Sequence, residues 1–207
     1  MFWVSLLVSI LTGYLLGNLN GAVCVSLIMK DDVRSHGSGN AGLTNFIRSY
    51  GASRSVGVIL IDAGKAFLAC VVGRLLLDPY GYALEGAAVG GLAVMLGHDF
   101  PALLGFKGGK GILSGLFIAL AIDWRIGLII LAVFAVAYFL TWFVSLGSVL
   151  AAVTFSVCFC LMHFDRPVVM ICGAVMGVLT VFMHRGNITR LLKGQERKTN
   201  LFKKDKE

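Results

Sequence analysis

The segment from Arg34 to Gly51 has the composition of a binding loop. It reads Arg-Ser-His-Gly-Ser-Gly-Asn-Ala-Gly-Leu-Thr-Asn-Phe-Ile-Arg-Ser-Tyr-Gly, with four glycines and two asparagines. Both residue types accept the left-handed backbone that tight turns require. Successive turns of that kind point N–H groups inward and form a nest for an anion. Gly37, Gly39 and Asn40 read as the frame of such a nest, and Ser38, Thr44 and Asn45 as neutral donors. Arg48 adds a planar fork suited to bidentate phosphate contact. A plain polar linker has no need of Asn, Thr and Arg interleaved with apolar Leu43, Phe46 and Ile47.

A second loop, from Gly97 to Gly111, repeats the theme. Gly108-Gly109-Lys110-Gly111 reads as a phosphate cradle opening onto the N-terminus of the next helix, where the dipole favours an anion. It is not a nucleotide-hydrolysing P-loop. Three residues, not four, separate Gly105 from Gly109-Lys110, and Gly111 stands where Ser or Thr is required. His98 opens this loop, and a site role and a structural one are equally consistent with its position.

Three smaller features join these loops. The segment Thr141 to Ser148, with Ser145, is a polar kink that serves either as a helix–helix turn or in the site. The tail begins with His184, Asn187 and Arg190, which can reach back towards the loops. Its later lysines read as anchors for acidic lipid headgroups. Asp62 and Lys65 lie three residues apart on one face of an apolar segment. Ionisable residues there are functional candidates, and a structural ion pair is the other reading. His36 and His163 have no comparable company.

What must position these groups follows from composition. The 207 residues are 57% hydrophobic and 14% charged, against about 25% charged in an ordinary soluble domain. That balance excludes a soluble globular enzyme, a disordered chain and a disulfide scaffold. It leaves an all-α integral membrane protein, read as one domain over 1–207 with a basic tail from about 184. A crossing helix needs about 20 apolar residues. Apolar runs extend from Phe2 to about Met29, Val56 to Leu77, Tyr82 to Gly97, Gly111 to Ile122, Ile126 to Met162 and Val168 to Met183. The first lacks a basic leader and a cleavage site, so it reads as a retained helix. The fifth holds two crossings, hinged near Thr141 to Ser148. The third and fourth are short. The expected count is seven transmembrane helices, with five full crossings as the alternative.

Seven crossings place the termini on opposite sides. On one side fall Lys30, Arg34, Arg48, Arg54, Lys107, Lys110 and the tail cations Arg185, Arg190, Lys193, Arg197, Lys198, Lys203, Lys204 and Lys206; on the other fall only Arg125 and Arg166. Basic residues collect on the cytoplasmic side, so the N-terminus is expected outside and the C-terminus in the cytoplasm. Both glycine loops, the kink and the tail then share the cytoplasmic face, and the net charge of +7 marks orientation, not nucleic acid. Cys24, Cys70, Cys158, Cys160 and Cys172 all lie in apolar runs without a CxxC, which suits small core hydrophobes. Neither a metal cluster nor a Ser-His-Asp arrangement is discernible. The expected ligand is a phosphorylated molecule, or two. An organic-phosphate transporter would call for internal repeats and polar groups near the midplane, and no repeat is evident. A surface scaffold would leave the glycine loops unexplained.

These segments resemble the signatures of the bacterial acyl-phosphate:glycerol-3-phosphate acyltransferases, the PlsY type. The matching stretches are Gly37–Arg48, Gly97-His98 with Phe106–Gly111, Ser145–Ser148 and His184–Arg190, in order across nearly the whole chain. Ala41 stands for the usual Pro, Leu43 for the usual Ala, and Ile112-Leu113-Ser114 for Val-Ala-Thr; these change shape more than chemistry. The resemblance implies a multi-pass enzyme of the bacterial cell membrane. It would move a fatty acyl group from acyl phosphate to the 1-hydroxyl of glycerol 3-phosphate, giving lysophosphatidic acid and phosphate, with no cofactor. It implies that Ser38 and Arg48 orient the reacting phosphates. The loop Gly108–Gly111 would hold a substrate phosphate neutralised by Lys110, and His184, Asn187 and Glu196 would complete the site. His98, His184 or the substrate's own phosphate could accept the hydroxyl proton, the last being favoured because the loops offer donors more than bases.

Overall fold

The computed structural model describes residues 1–199, and the tail lysines Lys203, Lys204 and Lys206 lie outside them. Ten α-helices follow one another: α1 (Phe2–Gly17), α2 (Gly21–Ile28), α3 (Leu43–Tyr50), α4 (Ser55–Leu77), α5 (Ala83–Asp99), α6 (Ile112–Ile122), α7 (Trp124–Thr141), α8 (Val144–Met162), α9 (Pro167–Met183) and α10 (Arg185–Leu192). Among the described residues, four helices are long and apolar enough to cross a membrane, or up to six if each of two bent pairs is one span.

The first apolar run is two helices, not one. Asn18 to Asn20 break it, and α2 leaves α1 at 44°. Asn20 makes the break self-sufficient. Its side chain accepts from Val23 N–H at 3.1 Å, capping α2, and donates to Ala41 O at 2.9 Å. The third run is longer than its apolar residues suggest. With the turn that follows, it reaches from Ala83 to Leu104. Polar His98 continues the helix because it finds a buried partner inside the bundle; the helix stops before Phe100-Pro101, where proline disfavours α geometry for its predecessor. The fourth, α6, remains short, at 11 residues. The run from Ile126 breaks at Trp142, a left-handed residue with φ of 62°.

Helices α1, α4 and α5 pack closely at one side of the bundle. A side chain on Gly73 of α4 would run into the backbone of Gly86 in α5, and the reverse. Small residues let backbones approach where lipid supplies no hydrophobic drive. The main core lies between α4–α9 and includes Cys70, Val94, Ile118, Ile126, Phe155 and Met176. Outward positions are apolar: Leu60, Leu140, Leu161 and Val178 are each at least 66% exposed. Such a surface is stable in hydrocarbon and not in water. A second, smaller core (Ala22, Val23, Val33, Ala41, Phe46 and Val58) seats the amphipathic α3 against α2 and α4. The five cysteines are unpaired.

Candidate active site

At the end of the bundle bearing α3 and α10, one cavity of about 890 Å³ collects all four unusual segments. Its mouth is lined by Gly37, Ser38, Gly39, Asn40, Thr44, Asn45 and Arg48 from the first loop and α3, by His98, Lys110 and Gly111, and by His184, Asn187 and Glu196. Its depth is apolar, with Ile130, Phe134, Ala151, Ala152, Phe155 and Met176. Ser145, at the start of α8, lines the same space. Gly108 and Gly109 are not among the lining residues; they sit behind Lys110.

The first loop is organised by one side chain. Asn45, in the first turn of α3, donates through Nδ2 to Val33 O and His36 O at 3.0 Å and to Asn40 O at 3.1 Å. Its Oδ1 accepts from Ser38 N–H at 2.9 Å. Gly37 and Gly39 have φ of 57° and 69°, conformations that side chains other than Gly disfavour. The loop thus folds around Asn45 and turns Ser38 towards the cavity. Arg48, one turn further along α3, donates to the Thr199 hydroxyl. The Thr199 backbone is held in turn by Tyr138, whose hydroxyl donates to Thr199 O at 3.1 Å, and by Trp142 O. Neither Tyr138 nor Thr199 was a site candidate by sequence. A tyrosine in an apolar helix that must satisfy its hydroxyl was the only signal.

The second loop is mounted differently. Gly108 N–H donates to Asp99 O at 3.2 Å and Gly109 N–H to His98 O at 3.0 Å. A side chain on Gly109 would run into the His98 ring, at Nε2. Asp99 is fully buried, with neither carboxylate oxygen hydrogen-bonded among the described residues. His98 is itself held from below. Lys65 Nζ lies 2.8 Å from His98 Nδ1 and 2.8 Å from Asp62 Oδ1, and donates to Leu19 O at 2.8 Å and Gly17 O at 3.3 Å. Gly21 N–H donates to Asp62 Oδ1 at 3.0 Å. The Asp62–Lys65 pair therefore ties the break between α1 and α2 to the second loop.

The tail supplies the third wall. Lys110 Nζ donates to Asn187 Oδ1. Asn187 donates to Glu196 at 2.8 Å, and Arg190 pairs with the other Glu196 oxygen at 2.7 Å. His184 Nδ1 bonds the Thr180 carbonyl at 2.8 Å, so this nitrogen is the protonated one and Nε2 is an acceptor in the neutral ring. Burial, then the nearby Arg190 guanidinium, pushes the Lys110 ammonium down to about 8. Burial raises the Glu196 carboxyl, but its bonds from Asn187 and Arg190 outweigh this and hold it below the usual range. The cations Arg48, Lys110, Arg185, Arg190 and Arg197 outnumber the two carboxylates, Asp62 and Glu196, among the residues lining the cavity. That arrangement suits an anion above an apolar tail.

Fold and cavity define an all-helical bundle with an apolar outer surface and a cavity with a cationic mouth at one end. Residues 7–194 match the family model described as glycerol-3-phosphate acyltransferase. A glycerol-3-phosphate acyltransferase of Thermoanaerobacter pseudethanolicus is 37% identical over 186 residues, covering 89% of this chain and 91% of that one. One of Finegoldia magna is 35% identical over 200 residues, covering 96% and 98%. The crystal structure of PlsY (YgiH), an integral membrane glycerol 3-phosphate acyltransferase, in its glycerol 3-phosphate form superposes with a TM-score of 0.85 at 30% identity, covering 95% of this chain and 96% of that one. Its lysophosphatidic acid form gives 0.82 at 29% identity, over the same shares. The chain belongs to the glycerol-3-phosphate acyltransferase family.

Proposed function

We propose that this protein transfers a fatty acyl group from acyl phosphate to the 1-hydroxyl of glycerol 3-phosphate. One observation carries the reading: a single cavity joins a cationic, glycine-framed mouth to an apolar depth. A polar acceptor and an acyl chain can meet there. The glycerol 3-phosphate and lysophosphatidic acid forms of the PlsY structure support both ends of the reaction.

Ser38 and Arg48 orient the reacting phosphates, with Gly37, Gly39, Asn40, Thr44 and Asn45 framing them. The turn Gly108–Gly111 presents Lys110 to the phosphate of glycerol 3-phosphate, and His98, Ser145, His184, Asn187 and Glu196 complete the enclosure. The hydroxyl oxygen attacks the acyl carbonyl. The acyl carbon–oxygen bond to phosphate breaks, and the hydroxyl proton passes to a substrate phosphate. Acyl phosphate brings its own leaving group, so no covalent enzyme intermediate is needed and no cofactor is called for. Alignment of two bound reactants contributes several kcal/mol, and the cationic mouth stabilises the departing phosphate.

On this reading the chain makes seven crossings. The bent α1–α2 pair, α4, α5, short α6, α7, α8 and α9 form them, while α3 and α10 lie on the surface. The Lys and Arg distribution supports an external N-terminus and a cytoplasmic tail, and the integral-membrane and bacterial relatives support residence, as one domain, in a bacterial inner membrane. The test is turnover by purified protein. Phosphate release from acyl phosphate with glycerol 3-phosphate, and none from acyl-CoA, is expected. A Ser38→Ala/Arg48→Ala variant with wild-type rates would sink the role assignment.

A further inference from the structure

The buried pair Asp62 and Lys65 has no part in the reaction just outlined, yet it contacts a residue that does. An ammonium group has three N–H donors and no acceptor. Lys65 Nζ stands 2.8 Å from His98 Nδ1, so Nδ1 must receive that bond through its lone pair. The rival partner for Nδ1, Asp62 Oδ1, is 3.7 Å away, beyond hydrogen-bond reach. A neutral imidazole that accepts at Nδ1 carries its proton on Nε2. Nε2 is the edge of the ring packed against Gly109, and His98 lines the cavity.

We propose that Lys65 is a positioning residue that locks His98 in the Nε2–H tautomer, making it an obligatory hydrogen-bond donor to a phosphate in the cradle and removing it as a base for the attacking hydroxyl. The identity of that phosphate, glycerol 3-phosphate, rests on the acyltransferase reading; the tautomer does not. Lys65 is itself fixed. Gly17 O and Leu19 O, at and just past the C-terminus of α1, accept from it, where the helix dipole favours a cation. Asp62 neutralises it and is anchored on Gly21 N–H, at the N-terminus of α2. Turning the His98 ring over would set a C–H against the buried ammonium, and moving the ring proton to Nδ1 would set an N–H there; either change loses the 2.8 Å bond.

The lock is read directly by nitrogen NMR of histidine-15N-labelled full-length protein in lipid nanodiscs. His98 should show a protonated Nε2 and an unprotonated Nδ1 throughout roughly pH 6 to 8, across the ordinary histidine range. In Lys65→Met the Nδ1 signal should change. A protonated Nδ1, or an imidazolium, in the wild-type protein overturns the proposal without any variant having to fold. Kinetics adds a second reading. His98→Gln carries an amide N–H near the position of Nε2, and His98→Asn near Nδ1. The KM for glycerol 3-phosphate should rise about ten- to hundredfold in His98→Asn and only a few-fold in His98→Gln. Equal KM values in the two variants would also overturn the proposal. If the wild type fails to turn over acyl phosphate while the tautomer is as stated, the functional reading fails and the lock stands.

Discussion

The two glycine-rich loops face one cavity but are built in opposite ways. The first is tied mainly from within: Asn45, from the helix it leads into, ties Ser38, Asn40, His36 and Val33 together, and Asn20 adds one bond from outside to Ala41 O. The second is closed by backbone bonds, such as Phe106 N–H to Pro101 O at 2.9 Å, and has no internal side-chain tie like Asn45 among its described bonds. It is hung on the carbonyls of His98 and Asp99 and braced by a ring whose support, Lys65 with Asp62, is distant in sequence and inside the bundle. The first loop should therefore fail by losing one local residue, and the second by disturbance of the helices beneath it.

The largest expected effect tests the local loop. Asn45→Ala removes one acceptor and two donors that satisfy four backbone groups, and kcat/KM should fall at least ~100-fold, the scale of an ångström's misplacement of a reacting group. Asn45→Asp should fare little better, because a carboxylate cannot donate to three carbonyls. Retained activity in both variants would erase the contrast. Next comes the hung loop. Gly109→Ala puts a methyl group into the His98 ring, and roughly a ten- to hundredfold loss in kcat/KM is expected, mostly in KM for glycerol 3-phosphate.

A third test is by pH. Lys110 is depressed to about 8, so it is charged below that pH and loses its charge as pH rises through it. The KM for glycerol 3-phosphate should hold steady below about pH 8 and climb above it, by up to ~10-fold per unit. In Lys110→Met this limb should vanish; a flat wild-type profile to pH 10 would remove Lys110 from phosphate binding. The smallest effect is expected at Gly105. It has φ of 64° with nothing near its missing side chain, so Gly105→Ala should cost about 1 kcal/mol of stability. It should leave kcat/KM within about twofold. A large activity loss there would mean that the second loop depends on its own turns after all.

The same contrast explains what could be read from sequence. The first loop is legible because its chemistry is local: Gly37, Ser38, Asn40, Asn45 and Arg48 lie within twelve residues, and turn preferences act over that range. The apolar runs were legible for the same reason. The break at Asn18–Asn20 was missed because its two asparagines are too few to interrupt a hydropathy window; they act by satisfying freed backbone groups one by one. Asp62 and Lys65 were visible as ionisable residues in apolar sequence. Their tie to His98 depends on where α4 meets α5, which no local pattern encodes. Thr199 carried no signal, since its partners Arg48 and Tyr138 are 151 and 61 residues away.

That last contact has a consequence for how the protein is made. The pocket's third wall is Asn187, Arg190 and Glu196, and Thr199 closes on Arg48 and Tyr138. Helices inserted earlier hold their loops in place, but a nascent chain has no finished pocket until residue 199 has left the ribosome and folded back. Translation therefore delivers the bundle into the bilayer first and closes this cavity last.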